Sequence, residues 1–266
     1  MSNKPTINPW TRPDHVVDIH IDCEFVDQGN AGTHFISIGA VVVGNQGRVN
    51  FYGINRDFFK SKVFFDTFHP KTDAEKEQQA WMLSHVYAHI TGTAVAGKEH
   101  RKGTVDKLVD LLEHPSAVFN VDFDQTFLLR NNKGEWENGN EPDVTVVGKL
   151  NAIAKGLTES IDSVRAEDKG EDNVTRIWCY YAASDHVCLQ QINGGMLAMP
   201  ETFNYYDYDI RAIGDLFGYQ HSELNCNGPH HALSDAVEQY IMAQKLRKMI
   251  AKDYGDKFVP NPNQEW

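Results

Sequence analysis

A mixed α/β fold in a single domain is predicted by the order of apolar segments along the chain. Strand-like segments rich in β-branched residues come first, at 16–25, 35–43 and 49–54, and another follows at 174–182. A long segment with helical periodicity, 232–253, comes near the end of the chain. Segments of these two kinds are typical of a sheet that is flanked by helices.

The boundaries of the first three strands are set by residues that favour turns. The stretch 27–32 contains Asn, Asp and two Gly, and 44–47 reads Gly-Asn-Gln-Gly, which suits a hairpin between the second and third strands. After the strand at 174–182, residues 186–192 look like the start of a helix. The apolar residues of 232–253 favour one broad face, so this helix is expected to pack on the sheet.

The middle of the chain, residues 60–173, has a less regular pattern. Helical periodicity occurs at 79–90 and 105–112, and 131–143 has the composition of an exposed loop. We therefore expect one domain, 1–266, whose core lies at about 16–60 and 174–253 and which carries an insertion within about 60–173.

Composition and charge limit the classes of protein that fit. The chain has 266 residues with 25 Lys+Arg and 37 Asp+Glu, so its net charge is −12 and a basic coat for binding duplex nucleic acid is excluded. No stretch approaches the roughly 20 apolar residues of a membrane span. The four cysteines form no CxxC pair, which fits a reducing compartment. We expect a soluble, cytoplasmic protein without a membrane partner.

The first candidate site is Asp22-Cys23-Glu24, in the first predicted strand. Residues i and i+2 of a strand project from the same face, so the two carboxylates are expected to lie side by side. Like charges at that separation are costly, and a divalent cation would resolve the cost. The alternative interpretation is a solvated strand face with no bound ion.

Two more carboxylates and a histidine strengthen the metal interpretation. Asp185 follows an apolar strand, and Asp235 lies one turn into the last helix. Phosphodiester hydrolysis by two metal ions needs carboxylates that converge from separate elements, together with a base for the attacking water. His230 lies five residues before Asp235, on the loop that leads into the helix, where it can accept a proton. His231 is interpreted as a neighbouring loop residue without a catalytic role.

These motifs resemble a known family. Asp-x-Glu on a first strand, a later strand-end Asp and His-x-Ala-x-x-Asp near the C-terminus resemble the DEDDh 3′–5′ exonucleases. The likeness is closer to the short, mycobacterial-type 3′–5′ exoribonuclease family, through DCEFVDQG at 22–29, ISIG at 36–39 and the run 177–200. It covers roughly residues 16–60 and 174–250, and most of 60–173 has no counterpart in it.

The resemblance implies a ribonuclease H-like mixed sheet flanked by helices, with an insertion in the middle of the chain. It implies two Mg²⁺ or Mn²⁺ ions, with His230 as the general base, and metal ligands at Asp22, Glu24, Asp185 and Asp235. The expected reaction is hydrolysis from the 3′ end of single-stranded nucleic acid, RNA rather than DNA, which releases nucleoside 5′-monophosphates. Phe25, beside the expected ligands, is expected to contact a nucleotide. The oligomeric state is left open, with a homodimer as one alternative.

Several alternatives remain open at the level of sequence. Asp124, in Asn-Val-Asp-Phe-Asp-Gln-Thr-Phe-Leu, rivals Asp185 as third carboxylate; Asp185 is preferred because its flank 178–200 fits the family. A phage exodeoxyribonuclease family shares a Trp-Cys pair before its strand-end Asp. A catalytically silent nucleic-acid-binding protein of the same fold is the alternative from another class.

Overall fold

The fold is known from a computed structural model that describes part of the chain. The described residues are 16–27, 32–91, 94–95, 98–99, 101–113, 128–130, 136–138, 142–167, 174–200, 203, 207–224 and 230–254. Asp124, the rival for the third carboxylate, lies outside them. The described part is an α/β structure with a mixed sheet and helices on both faces, which confirms the predicted class.

The strands and helices have the following bounds. The strands are β1 (Val16–Asp27), β2 (Thr33–Val43), β3 (Arg48–Asn55), β4 (Ala94–Val95), β5 (Lys98–Glu99), β6 (Leu128–Arg130), β7 (Trp136–Asn138), β8 (Val144–Gly148), β9 (Val174–Cys179) and β10 (Asp207–Asp209). The helices are α1 (Lys62–Thr67), α2 (Asp73–His85), α3 (Tyr87–Ile90), α4 (Arg101–Glu113), α5 (Leu150–Glu167), α6 (Ala182–Ile192), α7 (Ile210–Leu216), α8 (His221–Leu224) and α9 (Ala232–Tyr254).

The main sheet has six strands in the order β10-β9-β1-β2-β3-β8. Strands β1, β2 and β3 are consecutive and antiparallel, and the backbone N–H of Gly44 donates to the carbonyl of Gly47 in the predicted hairpin turn. Strand β9 pairs parallel with β1, and β10 pairs parallel with β9. Two separate two-stranded sheets, β4-β5 and β6-β7, come from the middle of the chain.

The two faces of β1 pack against different helices because successive side chains of a strand alternate. Ile19, Ile21 and Cys23 belong to the core cluster that contains Leu157 of α5 and Leu189 of α6. The even-numbered residues between 18 and 22 face α9, which contributes Gln239 to a hydrogen bond with Asp22 and Arg247 to an ion pair with Asp18. The face toward α9 is therefore the polar face of the central strand.

The middle of the chain, 60–173, contributes to more than one part of the molecule. Strand β8 extends the main sheet beside β3, and α5 packs its apolar stripe on the same sheet. Helices α2 and α3 instead pack with the first turn of α9, through a core cluster shared by Met82, Tyr87 and Leu233. Helices α2 and α3 are thereby held next to the turn of α9 that carries the predicted site residue Asp235.

Neither face of the molecule offers a candidate membrane segment among the described helices. None of them combines enough length with enough apolar character to cross a bilayer.

Candidate metal centre

Asp22 and Glu24 project from one face of β1, as their spacing predicts. Asp22 is opposite Gly39 of β2, and Glu24 is opposite Ser37. Asp22 is half-buried, whereas only 8% of Glu24 is exposed. Both carboxylates therefore lie under the helical layer rather than on a solvated strand face.

The N-terminus of α9 reaches these carboxylates because Gly39 has no side chain. A Cβ atom at Gly39 would lie 2.2 Å from the backbone N and Cα atoms of Leu233, a separation that real Cβ atoms do not show. The first turn of α9 therefore rests directly on the backbone of β2. Asp235 lies in this first turn and is thereby held beside the strand that carries Asp22 and Glu24.

Asp185 approaches from a third element, α6. Strand β9 ends at Cys179, so among the described residues no strand pairs with the second half of β1 on that side. The backbone N–H of Cys23 donates instead to Oδ1 of Asp185 at 2.9 Å, and only 5% of Asp185 is exposed. One oxygen of this carboxylate thus completes the hydrogen bonding of β1.

His230 is exposed on the loop that leads into α9. Its backbone is in the left-handed region, with φ 54°, an uncommon conformation for a residue other than glycine. Glu24, His230 and Asp235 each offer one ligand atom, and these three atoms lie within 4.8 Å of one another. The structure thus brings together the histidine and two of the predicted carboxylates in one cluster.

His231 is a buried structural residue. Its Nδ1 accepts a hydrogen bond from the backbone N–H of Ser234 at 3.4 Å, and its ring contacts Tyr52 with ring centroids 4.6 Å apart. Burial keeps its pKa well below the usual value, so the ring is neutral and suited to capping the helix. The interpretation without a catalytic role fits this position.

The four carboxylates destabilise one another's charges. Burial raises the pKa of Asp22 to about 7, although a hydrogen bond from Gln239 opposes the rise. Burial and the charge of Asp22 raise the pKa of both Glu24 and Asp185 well above the usual value. Burial, followed by the charges of Asp22 and Glu24, does the same to the pKa of Asp235. All four side chains therefore share one electrostatic environment.

The donor set fits a hard divalent cation. Carboxylate oxygens are the preferred ligands of such ions, and an ion between them would offset the burial and the repulsion that raise their pKa values. Oδ1 of Asp235 is buried and has no hydrogen-bond partner in the described part of the chain. This orphaned oxygen, together with Glu24 and His230, could hold a metal ion.

Two elements of the site were missed by sequence reasoning. Gln239, one turn after Asp235, donates from Nε2 to Oδ1 of Asp22 at 2.8 Å. Trp81 and His85 of α2 contact the ring of His230, with centroid separations of 5.0 and 5.5 Å. The i to i+4 spacing from Asp235 to Gln239 was a usable signal, but nothing in the sequence of α2 links it to His230.

Phe25, the residue expected to contact a nucleotide, packs toward the core. It is half-buried, beside a β-bulge between Glu24 and Phe25, and it packs against the core cluster on the α5 and α6 face. Trp81 is the aromatic residue that combines exposure, at 43%, with contact to the cluster through His230.

The chain was also compared with known proteins. A scan against models of protein families finds no match, and a search of curated proteins finds none either.

Proposed function

We propose that the protein is a metal-dependent 3′–5′ exonuclease that releases nucleoside 5′-monophosphates from single-stranded nucleic acid, with RNA preferred. The observation that carries this proposal is the cluster of Glu24, Asp235 and the exposed His230. Asp22 shares the strand face of Glu24, and Asp185 accepts a hydrogen bond from the backbone of Cys23 between them. Separate elements that supply carboxylates to one centre, beside an accessible base, match what two-metal phosphodiester hydrolysis requires.

Two Mg²⁺ or Mn²⁺ ions are the proposed cofactors, and the four carboxylates are their proposed ligands. Divalent ions in such a centre supply activation of the attacking water and stabilisation of the departing oxygen. Asp22, which accepts a hydrogen bond from Gln239 and whose charge acts on the other three carboxylates, is the ligand proposed to serve both ions.

His230 is the proposed general base. Its ring is exposed, so a substrate and water can reach it, and its contacts with Trp81 and His85 hold it at the edge of the cluster. A ring nitrogen takes the proton from the attacking water as the new oxygen–phosphorus bond forms. The bond from phosphorus to the 3′ oxygen breaks, and that oxygen leaves with a proton from solvent.

Substrate binding next to the metal centre is assigned to Trp81. A single-stranded base has an open π-face, and stacking on an aromatic side chain is the usual way in which proteins hold it without reading its sequence. Trp81 stacks one ring face on His85 and is 43% exposed beside His230, whereas Phe25 is half-buried against the core. We further propose that the sheet is ribonuclease H-like; three antiparallel strands, with β9 and β10 parallel to the first, support this.

The test uses single-stranded RNA and matched DNA of one sequence, labelled at either end, with Mg²⁺ or Mn²⁺. We expect stepwise shortening from the 3′ end, nucleoside 5′-monophosphate as product, and complete inhibition by EDTA. Asp22→Asn serves as the control for a contaminating nuclease. Degradation from the 5′ end, activity that persists in EDTA, or binding without shortening would each contradict the proposal, and faster cleavage of DNA would overturn the RNA preference.

A further inference from the structure

A groove lies on the side of β9 away from β1, between the end of α7 and α8. Its volume is about 600 Å³, and its lining includes Arg211, Tyr219, Gln220, His221 and Ser222. Sites for small organic ligands typically measure about 300–1,000 Å³, so the groove has room for one nucleotide. Its lining mixes an aromatic ring with hydrogen-bonding side chains, as base-binding sites do.

Tyr180 connects this groove with the metal centre. Tyr180 follows directly on β9, whose residue Trp178 pairs with His20 of β1. The ring of Tyr180 contacts His221 at the groove, with centroids 5.5 Å apart, and its hydroxyl oxygen contacts Nδ1 of His221. The groove is thus linked through Tyr180 to the end of β9, the strand that pairs with β1.

Tyr181 is the exposed aromatic residue at this boundary. Its backbone is left-handed, with φ 60° and ψ 56°, and 63% of the residue is exposed. Left-handed backbone is unfavourable for a residue with a Cβ atom, and such strain is concentrated at functional sites. Its ring packs edge-on against Tyr180, with centroids 4.8 Å apart, and most of the residue remains in solvent.

Arg211 provides an unused donor in the groove. Its Nη2 binds Oδ1 of Asp215 at 2.8 Å, whereas Nη1 is buried and has no hydrogen-bond partner among the described residues. A buried guanidinium nitrogen without an acceptor is costly, and an oxygen of a base or of a sugar-phosphate unit would satisfy it. Because Asp215 already neutralises the guanidinium charge, the groove suits a base better than a multiply charged phosphate.

We propose that this groove binds a base of the substrate strand upstream of the terminal nucleotide, with Arg211 of its lining as a hydrogen-bond donor. Tyr181, which lies outside the lining and packs on Tyr180 at its edge, is the proposed stacking platform. The proposal rests on the proposed exonuclease function and names a second subsite for the same strand. Trp81 belongs to α2, which packs beside β2 through Met82, whereas Tyr181 follows β9 on the other side of β1. A strand that reaches from Trp81 to Tyr181 would therefore pass β1, which carries Asp22 and Glu24.

The test compares RNA oligonucleotides with the 4-nitrophenyl ester of thymidine 5′-monophosphate, which occupies only the terminal position. We expect Tyr181→Gly to lower kcat/KM about tenfold on RNA of four or more nucleotides and to change it less than twofold on the ester. Glycine relieves the left-handed backbone, so this variant should fold at least as well as the wild type. Tyr181→Phe keeps the ring and should retain activity on RNA, and Phe65→Ala removes an exposed aromatic residue outside the groove.

The outcomes separate this proposal from the one on which it rests. Unchanged kcat/KM of Tyr181→Gly on long RNA, or an equal loss on RNA and on the ester, would overturn the groove subsite and leave the exonuclease intact. If the wild type cleaves neither substrate, the proposed function is overturned. The groove is then judged by fluorescence anisotropy with labelled single-stranded RNA: weaker binding by Tyr181→Gly and Arg211→Gln supports it, and unchanged binding rejects it.

Discussion

Asp18 and Asp22 lie four residues apart on the same face of β1, and the protein surrounds the two carboxylates in opposite ways. Asp18 accepts hydrogen bonds from Arg176, Trp178 and Arg247 at 2.8–3.1 Å. Burial alone would raise the pKa of Asp18, but the charges of Arg247 and Arg176 outweigh burial and hold the pKa well below its usual range. Asp22 has Gln239 as hydrogen-bond donor and three carboxylates in its electrostatic environment.

His20 separates the two environments. It is fully buried between Trp178 and Tyr240, with ring centroids 6.0 and 5.2 Å away. Burial lowers the pKa of His20 to about 3, so the ring is neutral at physiological pH. The comparison teaches that burial of a carboxylate is not itself the mark of a metal site. At Asp18 the protein supplies the compensating cations, and around Asp22 we propose that a bound metal ion supplies them.

The largest expected effect concerns the third carboxylate. Asp185→Asn should lower kcat about 10³-fold or more, because it removes a metal ligand from the centre. Asp124→Asn should retain near-normal turnover. Single-turnover kinetics on labelled RNA in Mg²⁺ measure both variants. A reversed result, with Asp124 essential and Asp185 dispensable, would show that the acidic cluster is assigned to the wrong residue.

The second-largest expected effect is a loss of stability when Asp18, whose charge is compensated by two arginines, is replaced. Asp18→Asn leaves two arginines facing each other without their shared counter-ion, so we expect the free energy of unfolding to fall by about 3–5 kcal/mol. Urea denaturation followed by circular dichroism measures this change. Asp73→Asn, which removes an exposed carboxylate paired with Lys76, is the matched control and should unfold at the wild-type midpoint. A wild-type midpoint for Asp18→Asn would show that the arginines do not depend on this carboxylate.

The pH dependence of stability should differ between wild type and Asp22→Asn. A carboxyl group whose pKa is raised on folding stabilises the folded state below its unfolded pKa of about 3.8, and this contribution is lost as the pH rises toward its folded pKa of about 7. Without metal, we expect wild type to lose about 1 kcal/mol per pH unit relative to Asp22→Asn between pH 4.5 and 7. The buried histidines contribute equally to the pH dependence of both proteins, so their contribution cancels in this difference.

Divalent metal should reverse that trend. Mg²⁺ or Mn²⁺ binds the ionised carboxylates, so saturating metal should raise the Tm of wild type more at pH 7.5 than at pH 5, and it should raise the Tm of Asp22→Asn less. Differential scanning calorimetry in EDTA and in metal provides the measurement. A Tm that responds to metal equally in both proteins would place the ion elsewhere.

The smallest effect concerns the orientation of Asp22. Gln239→Leu keeps a similar side-chain volume but removes the donor to Oδ1 of Asp22, so Mn²⁺ affinity should fall about tenfold with the fold intact. Isothermal titration calorimetry measures the affinity. Gln244→Leu, on the same helix, is the control and should bind Mn²⁺ as the wild type does. Equal affinities of Gln239→Leu and wild type would assign Gln239 to packing alone.

The sequence predicted the elements that depend on local pattern. The strands at 16–25, 35–43 and 49–54, the hairpin at 44–47 and the last helix all occur within a few residues of their predicted bounds. The same-face placement of Asp22 and Glu24 followed from the period of a strand. The predicted metal ligands and His230 also have recognisable spacings, so the sequence alone supports the metal hypothesis.

The remaining features depend on contacts between residues far apart in the chain. Nothing local to Gly39 indicates that Leu233 rests on it, and nothing in α2 indicates that Trp81 and His85 contact His230. The sequence also did not predict that β8 pairs with β3 in the main sheet, because nothing in its short apolar run indicates which strand it pairs with. Such pairings are selected by the packing of the whole core rather than by propensity.

By itself, the sequence determined which residue types carry chemistry and which of them share a strand face or a helical turn. Only the tertiary structure decided which charges are compensated. Asp18 and Asp22 have the same side chain on the same face of β1, and the sequence offers no local reason to separate them. The difference arises because α9 carries Arg247 to one and Gln239 and Asp235 to the other, and because β9 ends beside the second half of β1. These differences matter because a charge withdrawn from water must be compensated, either by another residue of the protein or by a bound ligand.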